Sequence, residues 1–226
     1  MIKAVIFDFD GVLFDSERFH FETLQQVLQA ELGVTLSLSD FLGKYFGKDD
    51  PSIFRELLES QGKSADSKAV KALIQVKVWA YHQILHDRQG LPAIVGVAEF
   101  LAYLKAQGLP VAVFSNGNRE EVLFALERLD GGIIKPYFQF VTTIDDINQG
   151  KPNPEGYLRS AELLGVDPAH CLVIEDSIGG IRAGKAADMK VVGLTTTHES
   201  SVLNAHADFV AESYQEVESW VHEKLR

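Results

Sequence analysis

Val5-Ile6-Phe7-Asp8-Phe9-Asp10-Gly11-Val12-Leu13 is the stretch that decides how the chain folds. The apolar run beginning at Ile2 reads as a buried strand. It ends at two carboxylates one residue apart, with Gly11 behind them to let the backbone turn sharply. Strand side chains alternate faces, so Asp8 and Asp10 project to the same side if the strand runs on regularly. Carboxylates that close raise one another's pKa unless a cation sits between them. The pattern points to a Mg2+ site with a reactive carboxylate, because an aspartate can attack as a nucleophile and carry a phosphoryl group. An acidic strand-to-turn boundary without chemistry would look similar, so the rest of the chain has to decide.

The 226 residues suffice for one sizeable core, or for a core with a small second domain. With 46% hydrophobic and 23% charged residues the composition is that of an ordinary globular protein. A formal net charge of -11 argues against nucleic acid as a partner, since a phosphate backbone calls for clustered Lys and Arg. Cys171 is the single cysteine, which excludes an intramolecular disulfide. Its apolar neighbours Leu172, Val173 and Ile174 mark it as a buried, inert thiol. The chain opens directly on the strand, with no basic-then-apolar leader and no apolar run of membrane-spanning length. A cytoplasmic monomer with no membrane partner is the expectation.

Downstream, residues 15 to 90 read as helical throughout. Ser16 is placed to cap a helix running to about Leu32 and closed by Gly33. A short segment around Phe41 to Phe46 follows, then helices from about Pro51 to Glu59 and from about Asp66 to His86. From Leu91 the pattern becomes strands alternating with helices, as in a parallel α/β sheet. Strands are expected near 110–114, 138–141, 171–174, 190–194 and 207–210. Asn118 is placed to cap the helix from Arg119, and Asn153 the helix beginning at Pro154. The predicted architecture is a Rossmann-like parallel sheet of residues 1–14 and 91–226, flanked by helices, with an all-α insertion over 15–90.

In open α/β sheets ligands sit outside the carboxyl ends of the strands. Ser115-Asn116-Gly117 falls at one such end, where a hydroxyl, an amide and backbone N–H groups either bind an anion or simply cap the next helix. Gly150-Lys151-Pro152-Asn153-Pro154 holds a lysine in a stiff setting, which suits a group that must point at a phosphoryl oxygen. Glu175-Asp176-Ser177 follows directly on another strand and offers oxygen ligands for hard Mg2+, although acidic residues also suit a helix N-terminus. Together these exits supply a nucleophile, a phosphate cradle, a charge neutraliser and a metal ligand, the components of phosphoryl transfer.

The segments Asp8-Phe9-Asp10-Gly11-Val12, Phe114-Ser115-Asn116-Gly117, Lys151-Pro152-Asn153-Pro154-Glu155 and Ile174-Glu175-Asp176-Ser177 resemble, in order and spacing, the motifs of the haloacid dehalogenase-like superfamily. The helical insertion resembles the cap of its phosphoglycolate phosphatase and β-phosphoglucomutase branch. The resemblance implies Asp8 as nucleophile and Asp10 as general acid and base. It implies Mg2+ held by Asp8, the Asp10 backbone carbonyl and Asp176, with Glu175 in or just behind that shell. It also implies a small phosphate monoester as substrate, a sugar phosphate or a phosphoglycolate-like metabolite.

Three residues of the insertion bear on the substrate. His20 lies on the apolar stripe of its helix with Leu24 and Val27, where it either packs or, as in the mutases of this branch, assists the acid/base aspartate. Lys77 shares a stripe with Val70, Leu73 and Ile74, and either snorkels to water or binds substrate. Lys48, in Gly47-Lys48-Asp49-Asp50, stands where the mutases tend to carry an arginine, whose bidentate grip on phosphate lysine cannot reproduce. The linkers near Phe14 to Glu17 and Arg88 to Pro92 are expected hinges. Besides the phosphatase, a β-phosphoglucomutase-type isomerase and a non-enzymatic phospho-receiver module use comparable groups.

Overall fold

The computed structural model describes residues 1–45, 48, 50–88 and 90–225, apart from the side chain of Glu17. Phe46, and Gly47 and Asp49 on either side of Lys48, fall outside them, as does Gln89 of the second linker. The chain forms two compact units, residues 1–15 with 90–226, and residues 16–89.

The first unit is built on a six-stranded parallel sheet. Its strands are β1 (Ala4–Phe7), β2 (Val111–Phe114), β3 (Phe138–Thr142), β4 (Cys171–Glu175), β5 (Lys190–Leu194) and β6 (Phe209–Ala211). Their order is β3-β2-β1-β4-β5-β6, so successive strands are laid to one side of β1 and then to the other. That reversal opens a crevice at the carboxyl ends of β1, β2 and β4. Every residue of those three strands is buried, which is why they read as unbroken apolar runs instead of alternating ones. Ala4 and Ile6 face a core shared with Phe114, Tyr157, Val173, Ile181 and Val191. On the other face, Phe7 packs edge-on against Phe100 at 6.0 Å and against Phe138 at 5.7 Å.

The second unit is helical. It contains α1 (Glu17–Val27), a π-helical turn over Leu28–Leu32, the single turn α2 (Leu38–Asp40), a further π turn over Phe41–Tyr45, α3 (Asp50–Ser60) and α4 (Ser67–His86). Leu24, Val27, Phe54, Leu57, Val70 and Leu73 are among the side chains of its own core. Asp66 caps α4 by accepting from the backbone N–H groups of Lys68 and Ala69, both at 2.9 Å. Ser16 departs from the cap expected of it. Its backbone is already helical (φ -90°, ψ -18°), and its buried hydroxyl has no hydrogen-bond partner among the described residues.

Helices α5 (Val97–Ala106), α6 (Arg119–Leu126), α7 (Glu155–Leu164), α8 (Ile178–Ala186), the short α9 (Ser200–Leu203) and α10 (Tyr214–Leu225) complete the first unit. Asn153 caps α7 from one residue further out than expected, accepting from Glu155 N–H at 2.9 Å, so the helix begins after Pro154. Asn118 caps α6 through Glu121 N–H at 2.9 Å. Asn118→Ala is expected to cost about 1 kcal/mol, read as a lowered midpoint in thermal denaturation. An unchanged midpoint would show that water replaces the cap without loss.

Candidate active site

The β1, β2 and β4 exits are neighbours in the sheet, so topology alone brings Asp8, Ser115 and Glu175-Asp176 to one crevice. Lys151 arrives from the loop between β3 and α7. Its backbone N–H donates to Asn116 Oδ1 at 2.9 Å, which ties the β2 exit to the lysine loop. Ser115 is buried, and its Oγ accepts from Gly117 N–H at 2.9 Å, bending that exit into a tight turn.

At the centre, the Lys151 ammonium donates to Asp8 Oδ1 and, at 2.6 Å, to Glu175 Oε1. All three side chains are almost or wholly inaccessible, at 7%, 9% and 0% exposed. Burial alone would lower the Lys151 ammonium, but Asp8 and Glu175 together hold it above the ordinary lysine range. Asp8 is pushed up to about 8, first by burial and then by Glu175, with Lys151 opposing. Burial, followed by Glu175 and Asp8, likewise pushes Asp176 well above the usual carboxylate range. Asp10 lies near enough to add to the rise at Asp8.

Carboxylate oxygens of Asp8, Glu175 and Asp176 lie within 4.8 Å of one another. Three buried acids face one ammonium, so Asp8 and Asp176 resist ionising without a further positive charge, and a donor set made entirely of oxygen suits a hard divalent cation there. The oxygens are not equally available. Glu175 Oε1 accepts from Lys151 Nζ and from Tyr157 OH at 2.9 Å, and its Oε2 accepts from Asp176 N–H, Ser177 N–H and Ser177 Oγ, each at 3.0 Å. Asp8 Oδ2 and Asp176 Oδ1, in contrast, receive no hydrogen bond from the described residues. Both Glu175 oxygens are thus engaged by protein donors, and the residue holds Lys151 and the β4 exit in place. The approach is close: a Cβ at Gly180 would lie 1.6 Å from Glu175 Oε1. No residue but glycine fits there.

Four residues at this centre escaped the sequence analysis. Tyr157 lies on α7, where it reads as ordinary core, yet its hydroxyl meets Glu175 and its ring stands edge-on to Phe114 at 4.9 Å. Lys151 Nζ sits 5.0 Å from the Phe114 ring centre and 5.4 Å from that of Tyr157, between two aromatic walls. Thr196 and Thr197, in the loop after β5, donate to the Gly11 carbonyl at 2.5 Å and to Asp176 Oδ2. Tyr214 of α10 donates to the Val12 carbonyl at 2.8 Å. A run of hydroxyls at a strand exit, Thr195-Thr196-Thr197, was the available signal.

The helical unit holds the other candidates. Lys77 does not snorkel: its ammonium donates to Asp50 Oδ2 at 2.7 Å with the side chain only 5% exposed. His20 stacks on Tyr81, ring centres 4.8 Å apart. Lys48 is exposed and donates to Glu56 Oε2 at 2.8 Å. No helix among the described residues is long and apolar enough to cross a membrane.

Comparison with known proteins gives this arrangement its lineage. YhcW of Bacillus subtilis is 35% identical over 219 residues, covering 96% of this chain and 94% of that protein. The phosphorylated carbohydrates phosphatase of Thermotoga maritima is 31% identical over 192 residues, 84% of this chain and 83% of its own. The crystal structure of CbbY from Rhodobacter sphaeroides in complex with phosphate shares the fold, with a TM-score of 0.83 at 23% identity and 96% of each chain covered. A family profile described as haloacid dehalogenase-like hydrolase matches residues 2–188. That match takes in every strand exit that lines the crevice, and the chain belongs to the haloacid dehalogenase-like hydrolases.

Proposed function

We propose that the protein is a Mg2+-dependent phosphatase of small phosphate monoesters, with sugar phosphates the favoured class. The observation that carries the reading is the buried Lys151 ammonium held between Asp8 and Glu175, a cation fixed beside a carboxylate with one oxygen uncommitted. The likeness to a phosphatase of phosphorylated carbohydrates supports the substrate class.

In this proposal Asp8 attacks phosphorus, the ester oxygen leaves with a proton from Asp10, and an aspartyl phosphate forms. Asp10 then removes a proton from water as that water attacks the phosphoryl group, releasing inorganic phosphate and restoring Asp8. Lys151, fixed by Glu175, neutralises charge on the transferring oxygens, and Ser115, Asn116 and the Gly117 backbone hold them. Asp8, Asp176 and the Asp10 backbone carbonyl would hold Mg2+, which would supply further stabilisation of the developing charge. The helical unit follows the Asp10 turn in the chain, and within it His20 and Lys77 are the residues the sequence offers for substrate, although the Lys77 ammonium is already engaged by Asp50.

Phosphate release from a panel of sugar phosphates, phosphoglycolate and nucleotides, with and without Mg2+, tests the reading. Turnover is expected to require Mg2+ and to favour sugar phosphates. A stable phospho-aspartate with no turnover would favour the receiver module. Glucose 6-phosphate formed from β-glucose 1-phosphate and a trace of bisphosphate would favour the isomerase. Lys48 speaks against that isomerase, because its one ammonium is engaged by Glu56 and cannot give the forked contact of an arginine.

A further inference from the structure

The loop that follows β5 contributes a group for which the reaction above has no use. We propose that Thr197 is a positioning residue for Asp176, its Oγ1 donating to Oδ2 so that the other oxygen, Oδ1, is the one presented to the divalent cation. The proposal rests on the reading of Asp176 as a metal-holding residue.

Three contacts restrain Asp176, one at its backbone and two at its carboxylate. Its backbone N–H is held by Glu175 Oε2 at 3.0 Å. Its Oδ2 packs on the bare Cα of Gly11, where a Cβ would stand 1.8 Å from that oxygen and 2.8 Å from Thr197 Oγ1. Gly11 has a φ of +72°, so the turn that leaves Asp10 and the seat of this carboxylate both require glycine at the same position. The third contact is the Thr197 hydroxyl, the sole donor to the Asp176 side chain among the described residues. A half-turn only exchanges two equivalent oxygens, but tilting the carboxylate plane away from this orientation would forfeit that bond.

Thr197 can act this way because its loop is itself anchored. Thr195 N–H donates to the Ala211 carbonyl at 3.0 Å, and Thr196 Oγ1 grips the Gly11 carbonyl at 2.5 Å. The loop therefore clasps the turn carrying Asp10 with one hydroxyl and the Asp176 carboxylate with the next. Groups that orient a metal-bound carboxylate in this way influence affinity without touching the metal.

Calorimetric titration of Mg2+ into the wild type, Thr197→Val, Thr197→Ser and Asp176→Asn separates the possibilities, with thermal midpoints in EDTA recorded alongside. Thr197→Val is expected to weaken Mg2+ binding about ten-fold while Thr197→Ser restores it. Asp176→Asn is expected to abolish measurable binding. If Thr197→Val binds Mg2+ as the wild type does while Asp176→Asn does not bind it, the metal reading stands and the positioning role is wrong. Unchanged binding in Asp176→Asn would overturn both. A lower midpoint in EDTA with intact Mg2+ affinity would reduce Thr197 to a buried hydrogen bond and sink the proposal. Thr197→Ala, which removes the hydroxyl without adding bulk, answers the same question should the valine variant fail to fold.

Discussion

Asp8→Asn is expected to lower phosphate release by roughly four orders of magnitude or more, the scale on which loss of a covalent nucleophile is felt. The substitution preserves shape, and Lys151 keeps Glu175 as its buried partner, so the protein is expected to fold and to stay near the wild-type thermal midpoint in the absence of metal. Phosphate release and thermal denaturation of the same preparation test both halves. Residual turnover within about ten-fold of wild type would exclude a covalent Asp8 intermediate.

Lys151→Met should be costly in two separable ways. Removing the ammonium leaves Asp8, Glu175 and Asp176 buried together with no positive partner, and breaking a buried pair from one side costs about 3–5 kcal/mol. The reaction loses a preorganised positive charge at the transferring phosphoryl group, for which a fall of about 10^2- to 10^3-fold in kcat is expected. Adding Glu175→Gln to Lys151→Met removes one of the stranded charges. The double variant is expected to regain part of the lost stability and none of the lost activity. Recovery of activity in step with stability would show that Lys151 only holds the fold together, and that its chemistry belongs to another group.

What could be read in advance divides along a physical line. Strand exits were legible because buried parallel strands are continuous apolar runs, and a polar residue that ends such a run stands out by contrast. Asp8, Ser115 and Asp176 were found in that way. Lys151 was found by another local sign, the glycine and prolines that stiffen its loop. Tyr157 carried no such sign, because a tyrosine on the inner face of α7 has the same pattern whether its hydroxyl meets water or Glu175. Ser16 was misjudged for a similar reason. Residue type favours the cap, yet the backbone there had already entered the helical region and the hydroxyl was carried inward.

Sequence by itself determined the alternation of strands and helices, the helical insertion after the first strand, and the order in which the acidic and basic groups leave the sheet. These are properties of neighbouring residues, written in periodicity and in glycine and proline. Only the tertiary structure decided which oxygens of the acidic cluster are spent on protein donors and which are left over. Those hydrogen bonds join Glu175 to Tyr157 and Asp176 to Thr197 across the folds of the chain. Partners brought together by long-range packing leave no local pattern, so their assignment had to wait for the fold that closes β4 against the helix beside it and the loop after β5.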